Sequence, residues 1–163
     1  MKKFVFTLLL VFVCHLGYAQ GINSLFNEFG IEKNADCVKV SSFMMSLGKM
    51  FAGHDEDAKI IRKIKSIKVL DLESCTASVK ERFNKKVNKL NLKGYDELMR
   101  VNDEGEKVRV LMKTKKETIR ELLFVCTGKE DCTLVQINGK FTKDDIDKLV
   151  NQETGKTHGR RGV

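Results

Sequence analysis

From Tyr95 to Asn138 the apolar side chains recur at every second position, in four runs separated by turns of only four or five residues. Period two is the spacing of a strand whose side chains alternate between faces. Short turns force each strand to run antiparallel to the one before it, because a parallel neighbour needs a crossover of a dozen or more residues. Tyr95–Asn102, Lys107–Lys113, Thr118–Cys126 and Cys132–Asn138 are therefore expected to form a four-strand meander. A sheet with an apolar face needs a cover.

The flanking segments supply one, because there the period is 3.6. Ile22, Leu25, Phe26 and Phe29 fall on one helical face, with Gly30 as the stop. Phe43, Met44, Leu47, Met50 and Phe51 form a second stripe, capped by Ser41 or Ser42 and expected in the core. Val79, Phe83, Val87 and Leu90 form a third, with Thr76 or Ser78 as cap and Ser78 with Glu81 as a capping box. Cys37–Val40 and Ser66–Leu72 read as strands, and Ile60, Ile61 and Ile64 fit a helical turn. A last helix opens at Thr142, with Asp145 three residues on and a staple of Phe141 with Ile146. The expected fold is α+β: a two-layer sandwich with a mainly antiparallel sheet, its C-terminal four-strand meander covered by helices.

Residues 1–19 carry an address. Lys2 and Lys3 precede an apolar run from Phe4 to Val13, and Gly17 and Ala19 put small residues at −3 and −1 of a cut after Ala19. This is the pattern of a secretory signal peptide, and the run is shorter than the ~20 residues a span needs. The expected organisation is a signal peptide over 1–19, one α+β domain over 20–150 and a flexible polar tail over 151–163. Cleavage leaves no transmembrane span, and it takes Lys2 and Lys3 away, lowering the net charge from +8 to +6. The expected location is the periplasm, the cell envelope or the medium.

Export brings oxidising surroundings, and the mature chain keeps four cysteines: Cys37, Cys75, Cys126 and Cys132. Cys126 and Cys132 bracket a five-residue loop, so a disulfide is expected if they face each other across the hairpin. Cys37 and Cys75 are then the second pair. Three connectivities exist for four cysteines, and redox or cation sensing through them is a third functional reading. No Cys-x-x-Cys spacing supports zinc. The run His54-Asp55-Glu56-Asp57 lacks the ligand spacing of a calcium loop. No metal or cofactor is expected.

Catalysis has few parts to work with. Only His54 and His158 remain in the mature chain, and no nucleophile elbow, zinc-protease motif, P-loop or dinucleotide fingerprint occurs. Lys80, Arg82, Lys85, Lys86 and Lys89 make one helix basic. That face reads as solvated, with a weak attraction to anionic lipid or polysaccharide as the functional alternative. Nucleic acid is not expected, since export removes the encounter and a stacking platform is missing.

The segments Ile64 to Leu70, Tyr95 to Met99, Ile119 to Val125 and Leu134 to Phe141 resemble a family of small exported proteins from Bacteroidetes, the domain of unknown function four-two-five-two. The leader ending Gly17-Tyr18-Ala19-Gln20 is similar to leaders of that phylum. The resemblance spans residues 22 to 150. It implies an envelope location and a compact α+β domain, and it brings no activity or catalytic residue. Members are often lipoproteins, whereas Phe12 and Val13 before Cys14 do not fit a lipid-attachment site. The functional expectation is a non-catalytic module that binds or scaffolds another envelope protein. The alternative is a small-ligand binder or enzyme using a pocket between helices and sheet.

Overall fold

The computed structural model describes residues 21–51 and 56–148, with side chains described for 21–46 and 59–148. The signal-peptide segment, His54 and Asp55, His158 and the polar tail lie outside the described residues, while Glu56 and Asp57, expected in a loop, open a helix. In chain order the elements are α1 (Ile22–Phe29), β1 (Asp36–Val40), α2 (Ser42–Phe51), α3 (Glu56–Lys63), β2 (Ile64–Asp71), α4 (Ala77–Asn88), β3 (Asp96–Asp103), β4 (Glu106–Lys115), β5 (Thr118–Thr127) and β6 (Cys132–Phe141). A final helix, α5, is described over 143–148.

The strands form one six-stranded sheet in the order β1-β2-β6-β5-β4-β3, and every neighbouring pair is antiparallel. The chain is thus α+β. β2 inserts beside β6, so the N-terminal strand pair extends the edge of the C-terminal strands.

The inner face of the sheet carries Leu70, Leu134, Leu123, Val125 and Leu111, all buried beneath α1 and α4. The stripes expected on those two helices are the buried ones: Ile22, Leu25, Phe26 and Phe29 on α1, and Val79, Phe83 and Val87 on α4. Phe29 and Phe83 are fully buried and meet edge to face at 5.3 Å between ring centroids. Aromatic pairs favour that geometry, where the positive ring edge points at the negative face.

The opposite, outer face has its own smaller core. Ile60 from α3, Ile146 from α5, Phe141 and Ile64 pack on Leu122, Ile137 and Met112. Helices therefore flank both faces. α5 starts at the expected capping box: Thr142 N donates to Asp145 Oδ2 at 2.7 Å, and Asp145 N donates to Thr142 Oγ1 at 3.3 Å. Lys63 Nζ adds an ion pair to Asp145 at 2.6 Å, tying the end of α3 to the start of α5.

Two local expectations are corrected. Phe43 and Met44 are 73% and 57% exposed, not core, because α2 rests against β2 and α3 and none of the described elements packs over its start; the side chains of Leu47, Met50 and Phe51 lie outside the described ones. The N-cap of α4 is Thr76, and no side chain bonds its first amides; Thr76 Oγ1 and Ser78 Oγ pair with each other at 3.1 Å, while Glu81 pairs with Lys85.

Both sheet edges are open but unattractive for further pairing. β3 is exposed along its whole length and broken by a bulge between Glu97 and Met99. Hydrogen bonds from Arg100, then Arg109, hold the Glu97 carboxyl down to about 2 and clamp that bulge. Charge and a bulge on an edge strand discourage edge-to-edge growth.

Phe83→Ala empties a fully buried ring site and is expected to cost about 3–5 kcal/mol in urea unfolding. Asp145→Asn removes the carboxylate that accepts from Thr142 N and pairs with Lys63, and is expected to cost about 1 kcal/mol at neutral pH. Burial raises the Asp145 pKa, but Lys63 and Thr142 overcome it and the net shift is downward. The carboxylate's contribution is thus present above the ordinary aspartate pKa and is lost as pH falls through the lowered one. The gap between Asp145→Asn and wild type should close from about pH 4 downward in a stability-against-pH series.

Candidate interaction surface

The registers of the five strand pairs align the outer-face side chains in rows that cross the sheet. One row reads Val40, Ile67, Ile137, Leu122, Met112 and Asp96; α3 and α5 pack on its middle. The next reads Val38, Val69, Val135, Phe124, Val110 and Met99, one apolar side chain from each of the six strands. Among the described residues no helix covers this row fully: Val38 is 55% exposed, Met99 49% and Phe124 37%, Val69 and Val135 are half-buried, and Val110 alone is buried. The third row reads Asp36, Asp71, Thr133, Cys126, Val108 and Val101.

At a strand spacing of about 4.8 Å the middle row is roughly 24 Å long. These three rows contain no Lys or Arg, although the whole chain carries +8. Acidic groups border the uncovered side: Asp36 opposite Asp71 at one edge, Asp103 opposite Glu106 at the other. The surface is therefore an apolar strip with an acidic rim. Contiguous exposed apolar surface of this kind marks interaction sites on soluble proteins.

The residues singled out from the sequence lie elsewhere or are engaged. The basic residues of α4 are exposed or half-buried on the inner side, where acids meet them. Arg82 pairs with Glu32, Lys86 with Glu28 and Lys85 with Glu81, and Lys80 Nζ donates to the Glu130 carbonyl at 2.7 Å. These ion pairs leave much less free charge than the five residues Lys80, Arg82, Lys85, Lys86 and Lys89 suggest.

Cys37, Cys75, Cys126 and Cys132 are free thiols. The β5–β6 register sets Thr127 opposite Cys132 and Cys126 opposite Thr133. Strand parity then sends Cys126 to the outer face and Cys132 to the inner core, so the two sulfurs cannot meet across the hairpin. Cys132 Sγ donates to the Gly128 carbonyl at 3.4 Å and lies 3.3 Å from Asn84 Oδ1. Cys75 Sγ donates to the Lys33 carbonyl at 3.5 Å. Burial, then Glu106 and Asp131, pushes the Cys126 thiol up.

The interface between α1, α4 and the sheet is filled with apolar side chains. Its polar groups gather at one end and bond mostly to one another. Tyr95 Oη donates to Glu121 Oε1 at 2.6 Å and Gln136 Nε2 donates to the same oxygen at 2.7 Å. Burial, reinforced by Glu121, raises the Tyr95 phenol and keeps it protonated. Gln136 Oε1 and Arg120 Nε are buried without a partner. Among the described residues no group of His, Cys, Asp and Glu side chains is placed to hold a metal ion, and no helix is long and apolar enough to cross a membrane.

The outer strip was missed by sequence reasoning, though a signal for it exists. Leu122, Leu123, Phe124 and Val125 are consecutive and apolar, so β5 presents apolar side chains to both faces. A strand of that kind demands a cover on each side.

A family model for the domain of unknown function DUF4252 matches residues 29–149. The chain belongs to this family. The matched span takes in every strand and four of the five helices described, and it begins at Phe29, the end of α1. Neither the curated proteins nor the solved structures give a match.

Cys126 offers a direct check on the outer-face assignment. Its alkylation by iodoacetamide at pH 7.5 should be several-fold slower in the folded chain than in urea, because the thiolate carries the reaction. Glu106→Gln should speed it, a change that peptide mapping by mass spectrometry resolves.

Proposed function

We propose that this DUF4252 chain is a non-catalytic protein-docking module of the cell envelope, and that it docks through the outer face of its sheet. The observation that carries this reading is the row Val38, Val69, Val135, Phe124, Val110 and Met99, which is apolar on every strand and exposes Val38, Phe124 and Met99 to water. A sheet does not keep such a row open for stability. Each exposed valine or phenylalanine forgoes about 1–2 kcal/mol of burial that a partner restores.

In this reading residues 1–19 direct export, 20–150 form the working domain and 151–163 trail from it. Its main body is the layer of α1 and α4 on the sheet, whose four C-terminal strands form a meander, with the smaller helices α3 and α5 over part of the other face. The inner layer gives rigidity and the outer face gives contact. The ligand-pocket alternative has less support. The helix–sheet interface is filled by residues such as Phe26, Phe29, Phe83, Leu123 and Leu134, and the polar edge is largely spent on its own hydrogen bonds. A weak attraction to anionic lipid or polysaccharide through α4 is likewise diminished by the pairs with Glu28, Glu32 and Glu81.

Site-specific photo-crosslinking in the source cells tests the docking reading. A photoreactive residue in place of Phe124 should yield a discrete adduct. The same residue in place of Lys85, exposed on α4, should not. No adduct at position 124, or equal adducts at both positions, overturns it.

A further inference from the structure

Nine large apolar side chains are exposed among the described residues. Four of them, Val38, Met99, Val101 and Phe124, lie on the outer face of the sheet. Three more, Phe43 and Met44 on α2 and Ile61 on α3, lie on the helices at the covered end of that face. The surface has the form of a step. Helices stand on one half with apolar residues in water, and the apolar strip runs along the lower half beside them.

We propose that the strip is filled by a second copy of this chain. The two copies pair face to face about a two-fold axis that runs across the strands, so that α2 and α3 of each seat on the strip of the other. This inference rests on the reading of the outer face as a docking surface.

Two limiting directions of the two-fold axis place two copies face to face, along the strands or across them. An axis along the strands stacks helix on helix and brings the acids Asp36, Asp71, Asp103 and Glu106 of each copy against the same acids of the other. That arrangement leaves the strips apart and sets like charges together, which is unfavourable. An axis across the strands inverts the second copy. Its helices then descend onto the strip, and the acidic rim of one copy meets the helical end that bears the exposed Arg62 of the other. Step fits step, twice over.

Area favours this occupant over a single foreign helix. The strip measures about 24 by 13 Å, or roughly 300 Å², from strand spacing and rise. A helix laid in it leaves Phe43, Met44 and Ile61 in water and buries about 600 Å² in total, within the range of crystal contacts. The reciprocal fit uses each strip and each set of helices, for about 1,200 Å² in total, the lower limit of a specific interface. The contact is isologous, so it closes at two copies.

Sedimentation equilibrium of the chain from Gln20 onward, between about 1 and about 100 µM, tests the proposal. Wild type should move from monomer to dimer within that range. Phe124→Arg on the strip and Phe43→Asp on α2 should each raise the dissociation constant at least tenfold while the thermal melt of the monomer stays in place, since both side chains are exposed. Loss of dimer in Phe43→Asp is the discriminating result, because an occupant of the strip alone does not touch Phe43. A monomer across the whole range overturns the proposal, and so does a dimer that survives both substitutions. If the chain is a monomer yet the crosslinker at position 124 captures a protein of another mass, docking stands and the second copy falls. If the crosslinker also captures nothing, both fall.

Discussion

An antiparallel sheet with apolar side chains on both faces has to be covered twice, and the rest of this molecule follows from how unequally that is done. The inner face receives α1 and α4, whose Phe26, Phe29 and Phe83 are buried to within about one percent and close over Leu70, Leu123 and Leu134. Among the described residues the outer face receives α3, the start of α5 and the neighbouring α2. Their contacts gather on Ile137, Leu122 and Met112, one row of three. Stability is thereby concentrated on one side, where removal of a single ring is costly. The other side keeps apolar side chains such as Val38, Met99 and Phe124 in water.

Much of the architecture was legible in the amino-acid sequence because two periods are written there plainly. Period two from Tyr95 onward matches β3 to β6, and the stripes at 22–29 and 79–87 are the faces that α1 and α4 bury. A period, however, says which side chains share a face, not what that face meets. Phe43 and Met44 lie on a helical stripe and are in water, since among the described residues α2 packs mainly against β2 and α3. The capping box at Thr142 and Asp145 formed as expected, and the one at Ser78 and Glu81 did not, because the helix starts at Ala77 with Thr76 as its cap and Ser78 lies inside its first turn.

The features tied to function depend on tertiary register and were less visible. A turn shorter by one residue than expected separates Cys126 from Cys132 by the full thickness of the sheet. The charge of α4 is met by Glu28 and Glu32, which arrive from a helix and loop 50 or more residues away in sequence. The apolar row on the outer face exists only once β1 and β2 are laid beside β6, with Val38 and Val69 completing what β3 to β6 begin. No local pattern reports such an alignment.

The positions of the thiols carry a consequence for the life of the chain. Cys132 and Cys75 lie in the inner core, bonded to backbone carbonyls, while Cys126 faces the other way beside Glu106. Once folded, the hairpin cysteines have no route to each other, and an oxidant finds little thiolate to attack. Protection is therefore a matter of timing. A Cys126–Cys132 crosslink can form only before the sheet closes, because the closed sheet holds the two sulfurs on opposite faces.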